Sequence, residues 1–262
     1  MKKVLSKDGT PIAFDRSGQG PALILVAGAL TTRADWTSLA ARLAPHFSVF
    51  AYDRRGRGES GDRVPYAVER EVEDIDALIT EAGGSAFAFG HSSGAALALE
   101  AAIQLGGEKV KKLAMYEAPY NDEREAKLAW RAYIQQLTEL LAADRRGDAV
   151  ALFMKYVGTP AEGIEAMRQA PTWPLFEAIA PTLAYDHTAI LGQDGSVPIE
   201  RAAQVLVPTL VMNGGASYPF MSETARALSQ AIPHAQLRTL EGQDHGPADD
   251  VLAPVLQEFF LG

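Results

Sequence analysis

The stretch F-A-F-G-H-S-S-G-A-A-L-A-L-E, residues Phe87–Glu100, changes character at its middle. Apolar residues run up to Gly90, as in a short buried strand, and an alanine- and leucine-rich segment typical of a helix begins at Gly94. Ser92 stands between them in the pattern G-x-S-x-G. Between a strand and a helix, this pattern holds a serine in a sharp, strained turn where its hydroxyl can act as a nucleophile. For the five residues alone, an ordinary turn before a helix is the alternative.

The segments on either side of this stretch alternate between strands and helices. Before it, the sequence predicts strands at Val4–Ser6, Ile12–Phe14, Ala22–Val26 and Ser48–Asp53, and helices at Thr32–Ala44 and Tyr66–Ala82. The stretch itself gives a strand over Phe87–Phe89 and a helix over Ser92–Leu105, followed by a strand over Lys112–Tyr116. The first two strands form a hairpin, and the rest of the alternation indicates a parallel sheet with helical crossovers.

After Pro119 the alternation stops. Helices are predicted at Asn121–Ala142, Asp148–Tyr156, Glu162–Gln169 and Leu175–Leu183, and no strand-like run occurs before Thr209–Met212. The α/β pattern then resumes with segments at Ser222–Ala231, Gln236–Leu240 and Val251–Phe260. The sequence therefore predicts an α/β core formed by residues 1–119 and 205–262, with a helical cap insertion formed by residues 120–204.

The composition excludes several classes of protein. The chain of 262 residues has no cysteine, which excludes disulfides, cysteine nucleophiles and thiolate metal sites and fits the cytoplasm. A net charge of −9 argues against nucleic acid or an anionic membrane as a partner. The longest apolar run, Ala22–Leu30, is too short to span a bilayer, and no apolar core follows Lys2 and Lys3 as in a signal peptide. No pattern indicates an oligomeric state.

Three further motifs accompany G-H-S-S-G. These are V-A-G-A-L at Val26–Leu30, Y-D-R-R-G-R-G-E-S at Tyr52–Ser60 and L-E-G-Q-D-H-G-P at Leu240–Pro247. In order and position, the four motifs resemble those of the α/β-hydrolase superfamily over essentially the whole chain. The resemblance implies the α/β-hydrolase fold, which is a mostly parallel eight-stranded sheet with helices on both faces and a helical cap.

The resemblance also implies roles for individual residues. Ser92 would be the nucleophile and His245 the general base, and the backbone N–H groups of Ser93 and of Gly28 or Ala29 would form the oxyanion hole. No metal and no organic cofactor are needed. Many members have a histidine where this chain has Ala27, so the first oxyanion loop must be held in another way. A set of residues in the turn after the next strand is expected to be scaffold: Asp53, Arg55, Gly56, Gly58 and Ser60.

The carboxylate that should accompany the histidine is missing from its usual place. The segment V-M-N-G-G-A-S-Y-P-F has Ser217 at the position where the superfamily usually has an aspartate. Glu117, after the strand that follows the nucleophile helix, is the replacement that we predict. Some superfamily members take their acid from this position, including lactonases that open the mycotoxin zearalenone, and they share S-S-G at the elbow. Asp186 and Asp244 are weaker alternatives, and Glu117 could instead cap its strand or pair with an arginine of the cap.

The expected reaction is hydrolysis of a small, hydrophobic carboxylic ester or lactone through an acyl-enzyme. Trp173, Tyr185 and Met154 in the insertion are candidates for the substrate pocket, and Trp173 is expected in a loop because prolines flank it. Burial by packing is the alternative for Trp173. The same triad could also serve C–C bond hydrolysis, acyl transfer or perhydrolysis. A non-catalytic protein that binds a small molecule on a hydrolase scaffold is the third possibility.

Overall fold

A mostly parallel sheet of eight strands forms the centre of the molecule. The computed structural model describes all residues 1–262. The strands are β1 (Lys2–Leu5), β2 (Pro11–Ser17), β3 (Ala22–Val26), β4 (Ser48–Tyr52), β5 (Ala86–His91), β6 (Val110–Tyr116), β7 (Thr209–Gly214) and β8 (Ala235–Leu240). Their order is β1-β2-β4-β3-β5-β6-β7-β8, and only the pairs β1–β2 and β2–β4 are antiparallel. The predicted eight-stranded sheet is therefore confirmed.

Ten α-helices accompany the sheet. They are α1 (Thr37–Leu43), α2 (Val68–Glu81), α3 (Ser93–Lys109), α4 (Arg124–Ala142), α5 (Arg146–Tyr156), α6 (Ala161–Arg168), α7 (Trp173–Ile179), α8 (Ile199–Ala202), α9 (Pro219–Ala231) and α10 (Asp249–Leu261). Single 3-10 turns lie at Arg33–Trp36 and Ala180–Thr182, and a turn of π-helix at Tyr185–Ile190. None of the helices is long and apolar enough to cross a membrane.

Each face of the sheet has its own apolar core because successive side chains of a strand point to opposite faces. On β3, Ile24 and Val26 belong to the larger core with α2, α3 and α9, whereas Leu23 and Leu25 belong to the smaller core with α1 and α10. Strand β3 is fully buried for this reason, as its continuous apolar run predicts.

The helices α4 to α8 form an insertion between β6 and β7. Its apolar side chains, among them Tyr133 and Leu137, join the larger core of the sheet, so the insertion is packed against the α/β core. The prediction of a loop at Trp173 is wrong, because this residue begins α7. Pro174 is compatible with that helix because an N–H in the first turn has no intrahelical partner to lose. The π-helical turn and the short helix α8 were not predicted.

The topology brings the functional candidates to one edge of the sheet. In a parallel sheet, the loops after the carboxyl ends of the strands meet at the same edge. The loops after β3, β5, β6, β7 and β8 carry Gly28, Ser92, Glu117, Ser217 and His245, respectively. Residues far apart in the sequence therefore lie around one site.

Candidate active site

Ser92 occupies a strained turn between β5 and α3. Its backbone dihedral angles are φ 57° and ψ −129°, a conformation that non-glycine residues rarely adopt. Gly94 permits the turn, because a Cβ at this position would lie 2.2 Å from the carbonyl oxygen of Val26. The helix α3 begins at Ser93, and the N–H groups of a first helical turn have no partner within the helix. The site therefore offers N–H donors and a partial positive charge beside the serine.

The loop after β3 lies against the serine. We call residues Ala27–Leu30 the oxyanion loop, after the role that the sequence predicts for them. A Cβ on Gly28 would lie only 3.0 Å from Cβ of Ser92, so the backbone of the two turns is in close contact. Two buried arginines hold the loop: Arg54 Nη1 donates to the carbonyl of Ala27 at 3.1 Å, and Arg57 Nη1 donates to the carbonyl of Gly28. They hold the loop in this chain, which has Ala27 where many superfamily members have a histidine.

His245 and Glu117 form a hydrogen-bonded pair. Nδ1 of His245 lies 2.7 Å from Oε2 of Glu117, whose side chain is fully buried. The carboxylate also accepts the backbone N–H of Gly214 at Oε1 (2.8 Å) and the hydroxyl of Ser217 at Oε2 (2.9 Å). Ser217, at the position where a carboxylate was expected, thus donates to the carboxylate that comes from β6. When Nδ1–H is donated to Glu117, Nε2 of His245 keeps its lone pair.

Two side chains anchor the loop that carries His245. Nε2 of His91 donates to the carbonyl of His245 at 2.7 Å, and the hydroxyl of Tyr116 donates to the carbonyl of Asp244. Burial and the neighbouring His245 lower the pKa of His91 to about 4, so the His91 ring is uncharged at neutral pH. No sequence pattern indicates this contact, because the two residues are 154 positions apart.

The other predicted residues lie elsewhere. Asp244 accepts the N–H of Gly246, and Asp186 pairs with Arg54 and Arg57, so neither carboxylate binds His245. Trp173 is only 6% exposed and packs beneath Arg168. Tyr185 stacks on Tyr66 and donates to Asp62, and Met154 packs against the larger core. The structure thus gives all three side chains packing contacts within the protein, and their role in a substrate pocket stays a prediction.

His187 lies in an aromatic cluster of the insertion. Its side chain is 4% exposed, and Nδ1 is joined to the Tyr133 hydroxyl by a hydrogen bond of 2.7 Å. Burial lowers the pKa of His187 to about 4, although the charge of Asp186 opposes this shift. The unfolded chain, with a histidine pKa of about 6.5, therefore binds a proton over a pH range in which the folded protein does not.

This difference in pKa predicts how stability depends on pH. Neutral His187 contributes fully to the free energy of unfolding above the pKa that a histidine has in the unfolded chain. This contribution decreases as the pH falls from about 6.5 to 4, by about 3 kcal/mol in total. We expect His187→Gln to show a shallower loss of unfolding free energy over this range, measured by urea unfolding at several pH values. His234→Gln, at an exposed position, should keep the wild-type slope. Equal slopes for wild type and His187→Gln would contradict the prediction.

The strand order, the strained serine between β5 and α3 and the histidine after β8 define the α/β-hydrolase fold. A profile of the alpha/beta hydrolase family matches residues 23–257 of the chain. The chain belongs to this family.

The proteins similar to the chain include three curated relatives and one solved structure. N-formylmaleamate deformylase from Pseudomonas putida is 33% identical over 48% of this chain and 50% of that protein. 2-(Acetamidomethylene)succinate hydrolase from Mesorhizobium japonicum is 28% identical over 87% and 82%, respectively. Pimeloyl-[acyl-carrier protein] methyl ester esterase from Xanthomonas campestris is 29% identical over 89% and 91%. An alpha/beta hydrolase from Sphaerobacter thermophilus has a TM-score of 0.88 and 52% identity, covering 99% of this chain and all of that one.

Proposed function

We propose that the protein is a serine hydrolase that cleaves a carboxylic ester or lactone through an acyl-enzyme on Ser92. The observation that carries the proposal is the hydrogen bond between His245 Nδ1 and the buried carboxylate of Glu117. A carboxylate in this position selects the tautomer whose Nε2 accepts a proton, and it stabilises the imidazolium that results. The strained turn at Ser92, the N-terminus of α3 and the oxyanion loop supply the remaining parts.

The reaction would proceed in two stages. Nε2 of His245 takes the proton of the Ser92 hydroxyl as the oxygen attacks the carbonyl carbon, and the N–H groups of Ser93 and of Gly28 or Ala29 stabilise the negative charge on the carbonyl oxygen. His245 then gives the proton to the leaving alcohol. In the second stage, His245 deprotonates a water molecule that attacks the acyl-enzyme. His245 then returns this proton to the Ser92 oxygen as the acid is released. For a lactone, the alcohol and the acid are the two ends of one product.

The relatives support hydrolysis and suggest two kinds of acyl donor. One of them is named as a methyl ester esterase, which agrees with an ester substrate. Two others are named for substrates with an N-formyl or acetamido group. Hydrolysis of an N-acyl bond is therefore the second candidate function, with nitrogen in place of oxygen as the leaving atom and the same roles for Ser92 and His245.

Labelling by a fluorophosphonate tests the proposal. We expect rapid modification of the wild-type protein, located at Ser92 by peptide mass spectrometry. Ser92→Ala should not be labelled, whereas Ser93→Ala should keep labelling because Ser93 is proposed to act through its backbone N–H. A burst of p-nitrophenol from p-nitrophenyl acetate would support an acyl-enzyme. Absence of both labelling and burst would overturn the proposal in favour of a non-catalytic binding protein.

A substrate panel separates the acyl donors. Simple alkyl esters, lactones and N-formyl or N-acetyl enamides should be compared by kcat/KM at a fixed pH. We expect the highest values for esters or lactones. A clear preference for the N-acyl compounds would replace the ester proposal by the second candidate.

A further inference from the structure

Two arginines that the reaction scheme does not use lie directly behind the oxyanion loop. Arg54 and Arg57 follow β4, and each side chain is only 1% exposed. Both donate to carbonyls of the oxyanion loop, Arg54 to Ala27 and Arg57 to Gly28. The Thr31 hydroxyl also donates to the carbonyl of Gly28, at 2.7 Å. Neither arginine is available to a substrate.

Asp186 of the insertion joins the two arginines. Its Oδ1 lies 2.6 Å from Nη1 of Arg54, and its Oδ2 lies 2.5 Å from Nη2 of Arg57. Glu71 of α2 forms two further hydrogen bonds with Arg54, at 2.6 and 2.7 Å. Two buried positive charges thus face two buried negative charges, one of which comes from the insertion. Although burial by itself raises the pKa of Asp186, the charges of Arg54 and Arg57 lower it to about 2.

The direction of an oxyanion-hole N–H is fixed by the carbonyl of the same peptide group. A peptide group is planar and trans, so its C=O and N–H point in opposite directions. The carbonyl of Gly28 and the N–H of Ala29 belong to one peptide group, and the carbonyl of Ala27 and the N–H of Gly28 belong to the preceding one. Because arginines bind both carbonyls from behind, both N–H groups are directed away from the arginines.

We propose that Asp186 is a positioning residue for the oxyanion hole: by holding Arg54 and Arg57 against the carbonyls of the oxyanion loop, it fixes the N–H groups that receive the negative charge. This inference rests on the proposed function. According to this inference, the insertion helps to stabilise the transition state. The oxyanion loop keeps its orientation only while the π-helical turn at Tyr185–Ile190, which carries Asp186, is docked on the core.

Removal of the Asp186 carboxylate should displace the oxyanion loop, because it leaves the buried charges of the arginines unbalanced. Without it, one positive charge in the cluster has no buried counter-charge, and Arg54 and Arg57 repel each other. Burial and the charge of Arg54 already lower the pKa of Arg57, and Asp186 opposes this effect. If the Arg57 guanidinium moves away from the carbonyl of Gly28, the Thr31 hydroxyl is the only side-chain donor that this carbonyl retains. The peptide group can then rotate, and the N–H of Ala29 loses its alignment.

The first test compares Asp186→Asn with Asp74→Asn. Asp74 is a matched control because it is equally buried and forms two hydrogen bonds with Arg55 of the same turn, at 2.7 and 2.8 Å. Arg55 contacts no carbonyl of the oxyanion loop. We expect both variants to be less stable in urea, but only Asp186→Asn to lose kcat for p-nitrophenyl acetate, by about 10²-fold with KM nearly unchanged, as when one oxyanion donor is removed.

A second variant covers the case in which Asp186→Asn does not fold. In Arg57→Met/Asp186→Asn, one positive and one negative charge are removed, so the cluster stays balanced while the carbonyl of Gly28 loses its guanidinium. We expect stability close to that of wild type, with kcat still lowered. Recovery of kcat together with stability would overturn the inference.

The outcomes separate this inference from the proposed function. If the wild-type protein is not labelled at Ser92 by the fluorophosphonate, the proposed function is wrong and the inference fails with it. If wild type and Asp74→Asn are labelled rapidly and folded Asp186→Asn is labelled as fast as they are, only the role of Asp186 is overturned. Slow labelling of Asp186→Asn alone would support it.

Discussion

Replacing Glu117 by glutamine is expected to lower kcat about 10⁴-fold, because the variant leaves His245 in the wrong tautomer. Oε1 of Glu117 accepts the N–H of Gly214, so the amide oxygen of a glutamine must occupy that position. The amide NH₂ then faces Nδ1 of His245. Nδ1 must accept from this NH₂, which places the ring proton on Nε2, and Nε2 can no longer take a proton from Ser92. Steady-state kinetics with p-nitrophenyl acetate measure the loss.

Two controls sharpen this prediction. Asp244→Asn removes an exposed charge beside His245 without touching Nδ1, and it should change kcat less than about threefold because exposed charges are screened. In Glu117→Gln/Ser217→Asp, a carboxylate returns to the loop after β7, where the hydroxyl of Ser217 now lies 2.9 Å from Oε2 of Glu117. We expect this double variant to regain at least about tenfold in kcat. A fully active Glu117→Gln would show that the pair with His245 is not used in catalysis.

The sequence was sufficient to predict the partner of His245 because the relevant signals are local. The usual position for the acid lies in a short segment that has no carboxylate, and Glu117 stands at the end of a strand whose place beside β5 follows from the alternation of elements. The fold and the positions of Ser92 and His245 depend on motifs of the same local kind. The parallel sheet then brings these loops to one edge without further information.

The arginine cluster could not be predicted in this way. Arg54 and Arg57 lie in a turn whose sequence resembles a conventional scaffold, and their partner Asp186 is 132 and 129 residues away, respectively. Buried ion pairs of this kind form when the insertion docks on the core. The periodic pattern of apolar residues does not predict how the insertion docks. The only indication in the sequence was the alanine at position 27, which required another way to hold the oxyanion loop.

The wrong expectation for Trp173 has a simple physical cause. In a helix interior a proline removes an intrahelical hydrogen bond and kinks or breaks the helix, but in the first turn it removes an N–H that has no intrahelical partner. Pro174 follows the first residue of α7, so the helix begins where the sequence suggested a loop. The π-helical turn at Tyr185–Ile190 has no recognised sequence signal, and it is the turn that carries Asp186 into the core.

The two histidines beside Ser92 should respond very differently to the same substitution. His245→Gln is expected to lower kcat roughly 10⁶-fold, because removal of the general base leaves the serine without a proton acceptor. His91→Gln should cost only about 10- to 100-fold, through displacement of the loop that carries His245. Nε2 of His91 is already engaged with the carbonyl of His245, and a pKa of about 4 keeps its ring uncharged at neutral pH. We therefore expect His91 to act as a positioning residue and His245 to move the proton.

The pH dependence of kcat/KM distinguishes these roles. A general base gives the profile a limb on the acidic side, where protonation removes the lone pair that accepts the proton. His91→Gln should keep that limb at the same pH as wild type, with a rate that is lower by the same factor at every pH. The reason is that His91 does not take the proton from Ser92. The residual activity of His245→Gln should lack the limb. If His91→Gln instead removes the limb and His245→Gln retains it, the assignment is reversed, and the base is the histidine within the elbow.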